Sequence, residues 1–211
     1  MIPINMVSMY EGRRSMMDDN KITYLCTRDT KYIDEFSKLV QEKYWKAFKV
    51  EKFSEFENKR YFDEHPEAHM FLAFKQGRCM AGFIGHVNIS TPTEKRPFGE
   101  QLAMCHPFLR ELNLLDKPSG TMFRLSAAND SASLKVTGGL MSFAFKKTIE
   151  MGAYYFYSFI DGQTRIRLYE RYSKNNGMDF YHKKEFSIRL DDEYGGGKAE
   201  FILVDFKITK K

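Results

Sequence analysis

Arg124 is the residue of this chain that is hardest to explain as part of a core or of an ordinary surface. It stands in an otherwise apolar stretch, Met122-Phe123-Arg124-Leu125, that is typical of a strand. A buried guanidinium needs an acidic partner, and the carboxylate of a bound amino acid would be one. The pattern therefore predicts that Arg124 binds a ligand carboxylate.

Two acidic residues, Asp63 and Glu57, lie in a charged segment that precedes a predicted strand. A carboxylate beside a substrate amine can accept its proton or hold its ammonium form. Most carboxylates of this kind are solvated surface groups. Both interpretations stay open at this point.

The sequence gives little support to metal or hydrolase chemistry. His65 and His69 are four residues apart, which in a strand separates them by about 13 Å. That distance is too large for a shared cation. The motifs HExxH, CxxC and GxSxG do not occur. We therefore expect no metal site and no serine hydrolase.

The elements that must position these residues are clearest between Thr121 and Phe180. In order, the patterns predict a strand at 122–127, a glycine turn at 135–139, an apolar helix at 140–151, an aromatic strand at 154–160 and a helix at 167–172. This is a strand-helix-strand-helix unit.

The remaining segments extend this unit to one α+β domain. The patterns predict a first strand at 21–27, a helix from Tyr32 to about Phe48, a hairpin at 68–89 and two C-terminal strands at 185–190 and 200–208, which are joined by a glycine loop at 191–197. We expect an N-terminal extension at 1–20, a domain at 21–211 with a central mixed sheet flanked by helices, and an insert at 90–120 between strands three and four.

Composition excludes several classes of protein. The chain has 211 residues, 43% of them hydrophobic and 29% charged, and no apolar run long enough to cross a bilayer. The net charge of +5 is too small and too dispersed to indicate a nucleic-acid-binding protein. The three cysteines are widely spaced, which is typical of buried cytosolic thiols. A cytoplasmic protein without a signal peptide or membrane insertion is expected.

The unit at 121–180 resembles the GNAT superfamily of N-acyltransferases. In that family a Q/R-x-x-G-x-G/A loop follows the fourth strand, and a later helix carries a Leu-Tyr-Glu motif. The resemblance implies that Lys135, Gly138 and Gly139 bind the pantetheine arm of the donor, with a plain helix start as the alternative interpretation. It also implies that Tyr169 protonates the leaving sulfur, or else is a core tyrosine.

The fourth strand completes what the superfamily resemblance implies. The resemblance implies that the strand splays at Leu125 to Ala127, which includes Ser126, and aims a backbone N–H at the acyl carbonyl. Leu125 and Ser126 are therefore expected to line the substrate site.

A second resemblance is to the acyl-homoserine-lactone synthases, which have a Phe-Asp pair, a Leu-Pro-Thr-Thr stretch and a Glu-x-x-Arg-Phe strand. Here these correspond to Phe62-Asp63, Ser90-Thr91-Pro92-Thr93 and Thr121-Met122-Phe123-Arg124. The glutamate is replaced by Thr121, and the family's Gly-x-x-Arg arginine is missing at Gly85-His86-Val87-Asn88. These departures favour the related long-chain N-acyl amino acid synthases, which use acyl carrier protein.

Two groups of residues bear on the donor. Arg165, Arg167 and Arg171 crowd the start of a helix, where an acidic partner would compensate the unfavourable helix dipole. Phe143, Tyr157 and Phe159 belong to an aromatic set that is expected to line an acyl tunnel, or else to pack as core.

Together these patterns predict an N-acyltransferase that moves a long-chain fatty acyl group from acyl carrier protein to the amine of a small amino acid. No cofactor is expected beyond the acyl-phosphopantetheine thioester, which is the donor substrate. The alternatives are an acyl-homoserine-lactone (autoinducer) synthase and a non-catalytic acyl-binding protein on the same scaffold.

Overall fold

The structure, a computed structural model, describes residues 21–48, 55–88, 98–128, 133–190 and 197–208, together with Pro92, Lys95 and Arg96. Within these ranges, the side chains of residues 44–48, 55–59, 124, 133 and 134 are outside the description. The predicted N-terminal extension and most of the predicted glycine loop at 191–197 also lie outside the described residues.

One mixed sheet organises the described chain. Its seven strands lie in the order β1-β2-β3-β4-β5-β7-β6. They are β1 (Ile22–Thr27), β2 (Ala68–Lys75), β3 (Arg78–Asn88), β4 (Ser119–Ala127), β5 (Tyr155–Asp161), β6 (Asp179–Arg189) and β7 (Lys198–Asp205). β4 and β5 are parallel, and the other neighbouring pairs are antiparallel. The predicted α+β class with a central mixed sheet is confirmed.

Helices cover both faces of the sheet. They are α1 (Ile33–Phe48), α2 (Glu55–Glu64), α3 (Gly99–Ala103), α4 (His106–Glu111), α5 (Ser133–Glu150) and α6 (Gln163–Asn175). No helix in the described part of the chain is long and apolar enough to cross a membrane.

Strand alternation divides the core between the two faces. In β2, Met70 and Leu72 pack with α1 and with Phe62 of α2. The intervening Phe71 and Ala73 pack with α5 and α6. Because successive side chains of a strand point to opposite faces, α1 and α2 cover one face and α5 and α6 cover the other.

The insert between β3 and β4 forms the rest of the α1/α2 face. Leu102 of α3 and Leu109 of α4 are fully buried against Tyr155 and Tyr157 of β5 and Phe201 of β7. The two short helices therefore cover the half of the sheet that α1 and α2 leave open.

Several predicted elements differ from the structure. The charged segment that precedes β2 contains α2 at Glu55–Glu64, which the sequence did not predict. Among its described side chains only Phe62 is buried, so that α2 lacks the apolar stripe by which a helix is recognised. β6 begins at Asp179, earlier than the predicted strand at 185–190. The predicted turn at 135–139 is helical, because α5 begins at Ser133.

Candidate active site

The parallel pair of β4 and β5 opens after three residues. Ser119, Gly120 and Thr121 pair with Tyr155, Phe156 and Tyr157, and the pairing ends there although both strands continue. Just beyond the last pair, Ser158 Oγ donates to the carbonyl oxygen of Met122 at 3.2 Å. A side chain thus bridges the two strands where their backbones separate.

A bulge in β4 accompanies this opening. Gly82 of β3 pairs with Ser126 and Ile84 pairs with Phe123, so that Phe83 alone faces the two residues Arg124 and Leu125. An extra residue on one strand bends that strand and increases its twist. β4 therefore diverges from β5 after Thr121, a few residues before the splay expected at Leu125 to Ala127, and the bulge lies between the two positions.

Tyr169 lies beside the opening. Its side chain is on the buried side of α6, stacked on Phe156 of β5 with ring centroids 6.0 Å apart. Its hydroxyl donates to Met122 Sδ at 2.8 Å. Burial raises the pKa of Tyr169 above its usual range, so that the hydroxyl keeps its proton. The position fits the predicted proton donor and equally a core tyrosine.

Unpaired polar groups are buried on the α1/α2 face next to the opening. Asn88 of β3 and Thr121 of β4 are 1% exposed, yet neither amide atom of Asn88 nor Thr121 Oγ1 hydrogen-bonds to a residue that the structure describes. His86 pairs with Thr121 in the sheet register and is fully buried. Buried polar groups are almost always hydrogen-bonded, so that these atoms require water or a polar ligand as partner.

His86 is at the centre of a larger polar cluster. Its Nε2 lies 2.5 Å from the hydroxyl of Tyr61 on α2. Its Nδ1 lies 3.2 Å from Glu67 Oε1, without the alignment of a hydrogen bond. His65 Nδ1 lies 3.7 Å from the same oxygen. Burial lowers the pKa of His86 to about 4, with Glu67 partly offsetting the effect, so that the imidazole is neutral near pH 7.

The guanidinium of Arg96, a residue of the insert, is a second buried polar group. Arg96 donates from Nη1 to Ser119 Oγ and to the hydroxyl of Tyr155, both at 2.9 Å, and from Nη2 to the carbonyl oxygen of Lys117 at 3.3 Å. The guanidinium joins the insert to the first residues of β4 and β5. It therefore fixes the paired end from which the two strands diverge.

The predicted donor-binding glycines have a packing role. A Cβ at Gly138 would overlap with the hydroxyl of Tyr172 on α6, and one at Gly139 would overlap with the hydroxyl of Tyr24 on β1. Both glycines lie inside α5 and not in a loop before it, so that the segment predicted as a turn at 135–139 is helical. Lys135 is exposed on the first turns of the same helix.

The predicted basic residues of α6 are exposed. Arg165 pairs with Asp161 through a short ion pair, so it is already partnered. Arg167 and Arg171 are exposed four residues apart, which places them on one side of the helix. Lys174 continues that side and pairs with Glu170 at 2.7 Å.

The predicted aromatic lining does not form one surface. Phe143 of α5 stacks on Tyr24 at 5.8 Å, on the α5/α6 face. Tyr157 and Phe159 point to the opposite face, where Phe159 contacts Phe98 and Phe201. Four apolar side chains flank the diverging ends of β4 and β5, with Leu125 and Ile160 on the α5/α6 face and Phe123 and Phe159 on the opposite face.

Three predicted site residues remain without a described side-chain environment or partner. The side chains of Glu57 and Arg124 lie outside the described residues, although the backbone puts Arg124 in the bulge of β4. Asp63 is exposed near the end of α2. Ser126 is buried after the bulge, and Leu125 is half-buried against the α5/α6 core.

Other sites are separate from the opening. A depression of about 400 Å³ is lined by residues that include Lys117, Tyr154 and Asp205, at the beginning of β5 and not at its diverging end. The cysteines are free, as expected, and burial raises the pKa of Cys79 and Cys105 to about 12. Neither buried thiol is ionised near pH 7.

Sequence reasoning missed the cluster around His86. His86 stands in an apolar strand, and its partners Tyr61 and Glu67 are about twenty residues earlier in a charged segment. One signal was available, since two polar side chains, His86 and Asn88, interrupt the apolar run on the same face of one strand. His65 lies before β2 and His69 lies within it, so that the strand spacing expected between them does not apply. His69 Nδ1 lies 2.9 Å from the carbonyl oxygen of Glu67.

No protein-family model and no curated protein matches this sequence. Solved structures match its fold. FeeM, an N-acyl amino acid synthase from uncultured soil microbes, gives a TM-score of 0.57 at 13% identity over 87% of this chain and 89% of its own. The AHL synthase LasI gives 0.56 at 12% identity over 88% and 90%. The Drosophila melanogaster polyamine N-acetyltransferase gives 0.59 at 11% identity over 88% and 100%. The chain has the GNAT fold.

Proposed function

We propose that this protein is an N-acyltransferase that moves an acyl group from a thioester to the amine of a small acceptor. The observation that carries the proposal is the parallel pair of β4 and β5, whose register ends at Thr121 and Tyr157 and then opens. A thioester carbonyl inserted there would face backbone N–H groups of β4 that a closed sheet would use for pairing. Fold likeness alone does not assign an activity.

The opening has a proton donor on one face. The thiolate that leaves an acyl thioester must be protonated or otherwise stabilised. The Tyr169 hydroxyl reaches the strand at Met122, and its raised pKa keeps it protonated. It therefore supplies the group that the leaving sulfur needs.

The acceptor is proposed to approach from the other face. Asn88 and Thr121 offer one amide oxygen, one amide nitrogen and one hydroxyl that lack a described partner. An amine and a carboxylate could satisfy these atoms, because an amide offers both a donor and an acceptor. The two faces would then separate the donor from the acceptor across β4.

For the donor we propose a fatty acyl group on acyl carrier protein. On the donor face, the apolar residues Leu125 and Ile160 flank the opening and suit a hydrocarbon chain. The segment between β4 and α5, Asn129-Asp130-Ser131-Ala132, contains no glycine. A segment without glycine between a strand and a helix is a poor cradle for a free diphosphate, which favours a protein-bound donor over coenzyme A.

For the acceptor we propose an amino acid. Arg124 is carried by the bulge of β4, at the opening. A guanidinium there would bind the acceptor's carboxylate in a bidentate manner. Asp63 and Glu57 remain candidates for the acceptor's ammonium group, and both belong to α2 on the acceptor face.

Mass spectrometry of lipid extracts from bacteria that express the protein tests this function. The expected product is an N-acyl amino acid with a long acyl chain, which falls strongly in a Tyr169→Phe strain expressing equal protein. Detection of an acyl-homoserine lactone instead would show that the protein is the alternative, an acyl-homoserine-lactone synthase, and not an N-acyl amino acid synthase. The absence of any new acylated product would contradict the proposal and favour a non-catalytic acyl-binding protein.

A further inference from the structure

The connection between α2 and β2 brings three metal-binding side chains together on the α1/α2 face. These are His65, Glu67 and His86, and one ligand atom of each lies within 4.8 Å of the others. Two come from the same short connection, and the third comes from the middle of the sheet. The sequence hides the set because His86 is about twenty residues away.

The spacing of the donor atoms suits one small cation. Glu67 Oε1 lies 3.2 Å from His86 Nδ1 and 3.7 Å from His65 Nδ1. Ligands at about 2.1 Å from a tetrahedral zinc ion are about 3.4 Å apart. Both distances are therefore within a few tenths of an ångström of the edge of a coordination tetrahedron.

The buried member of the set has a donor atom without a partner. His86 is fully buried, and its Nδ1 makes no hydrogen bond with any residue in the described ranges. Glu67 Oε1 lies 3.2 Å from that nitrogen, without the alignment of a hydrogen bond. A buried ring nitrogen without a proton partner is costly unless something outside the chain satisfies it.

Neighbouring groups hold two of the ligands in place. The Tyr61 hydroxyl oxygen lies 2.5 Å from His86 Nε2. When Nε2–H donates to that oxygen, the neutral ring keeps its lone pair on Nδ1, where it can bind a cation. Arg28 donates to the carbonyl oxygens of Phe62, His65 and Ala68 at 3.1 to 3.3 Å. The guanidinium thus fastens the segment that carries His65 and Glu67 before any ligand arrives.

From these contacts we propose that His65, Glu67 and His86 bind a divalent transition-metal cation. Two imidazoles and a carboxylate are a donor set that suits zinc better than it suits calcium or magnesium. Three protein ligands leave a fourth position for water or a substrate atom. His65 and Glu67 are half-exposed, which gives the cation a path from solvent.

Titration of the full, untagged protein with Zn²⁺ after removal of metals by a chelator tests the site. We expect one equivalent to bind with a Kd of about 1 µM or tighter, and Co²⁺ to give the visible spectrum of a four-coordinate ion. His65→Gln and Glu67→Gln should each weaken binding by about 100-fold or more. Tyr61→Phe should weaken it by about 10- to 100-fold, since it removes the group that orients His86.

His69→Gln is the matched control, because His69 is close in sequence and half-buried but does not belong to the set. It should bind Zn²⁺ like the unaltered protein. His65 and Glu67 are preferred to His86 as test positions because their replacement leaves the core intact. The absence of saturable Zn²⁺ binding would overturn the proposal, as would binding that survives both His65→Gln and Glu67→Gln. These readouts do not depend on any acyl-transfer activity.

Discussion

At the scale of single residues, a change at Thr121 is expected to affect the stability of the protein and the binding of the acceptor differently. The buried hydroxyl of Thr121 has no hydrogen-bonding partner among the described residues, so Thr121→Val should leave the free energy of unfolding unchanged or raise it by up to about 1 kcal/mol. If the hydroxyl binds the acceptor, the same change should raise the acceptor's KM about tenfold. Urea denaturation and steady-state kinetics measure the two effects.

Thr148→Val is the matched control for Thr121→Val. Thr148 is also buried, but its methyl group packs near Gly120 from the α5 side of the sheet. Its replacement should leave the acceptor's KM unchanged. A Thr121→Val protein with an unaltered KM would remove Thr121 from the acceptor site.

Tyr169 is predicted to act on the leaving group. Tyr169→Phe removes only the hydroxyl that contacts Met122 Sδ, and we expect kcat to fall about 100-fold while the free energy of unfolding changes by about 1 kcal/mol or less. An aryl thioester, whose thiolate leaves without protonation, should lose much less. If alkyl and aryl thioesters lose the same factor, Tyr169 acts through packing and not as a proton donor.

The residues that sequence could identify are those whose elements carry a local signal. The place of Tyr169 on a helix after β5 follows from the strand-helix-strand-helix order, which short-range patterns reveal. The bulge at Arg124 and Leu125 does not follow from it, because it depends on how β4 pairs with β3. His86, Asn88 and Tyr61 could not be assigned in this way, because their meaning depends on which side chains meet across α2, β3 and β4. Phe143 and Tyr157 were grouped wrongly since composition does not tell which face of a sheet a ring occupies.

At the scale of elements, α5 is held close to α6 and β1 by two glycines. Gly138→Ala should raise intrinsic helix propensity by about 1 kcal/mol and yet destabilise the protein by about 1–3 kcal/mol, because its Cβ would overlap with the Tyr172 side chain. Tyr172→Ala should relieve most of that cost when the two changes are combined. Chemical denaturation of the single and double variants gives the coupling energy.

Additivity of these two changes would contradict the packing role of Gly138. Gly177→Ala is not a suitable control because Gly177 has a positive φ of 69°. Gly139→Ala is a better comparison, since its Cβ would meet Tyr24 on β1 and not Tyr172. Its cost should persist in the Tyr172→Ala background.

Element prediction succeeded where apolar periodicity is strong. β2 was predicted with the residues that form it, and β3, β5 and β7 were placed within a few residues. α2 was missed because it is largely charged and buries little. The helical start of α5 was taken for a turn, since Gly138-Gly139 is a turn signal that tertiary packing overrides.

At the scale of the whole molecule, the exposed basic side of α6 is predicted to dock the carrier protein. Arg167→Glu combined with Arg171→Glu should lower kcat/KM for an acyl carrier protein thioester by about tenfold or more, and should remove most of its salt dependence. Arg110→Glu, at an exposed position on α4 across the sheet, is the matched control. If kcat/KM falls by the same factor per reversed charge in the double variant and in Arg110→Glu, the effect is one of net charge and not of a docking site.

The central claim is that the opening between β4 and β5 joins a thioester to an amine. It is tested most directly by following free thiol as purified protein acts on palmitoyl-acyl carrier protein, with and without an amino acid mixture. We expect the rate of thiol release to saturate with amino acid concentration, and the amount of thiol released to equal the amount of N-acyl product. Thiol release at the same rate without an amine, or no release at all, would contradict it.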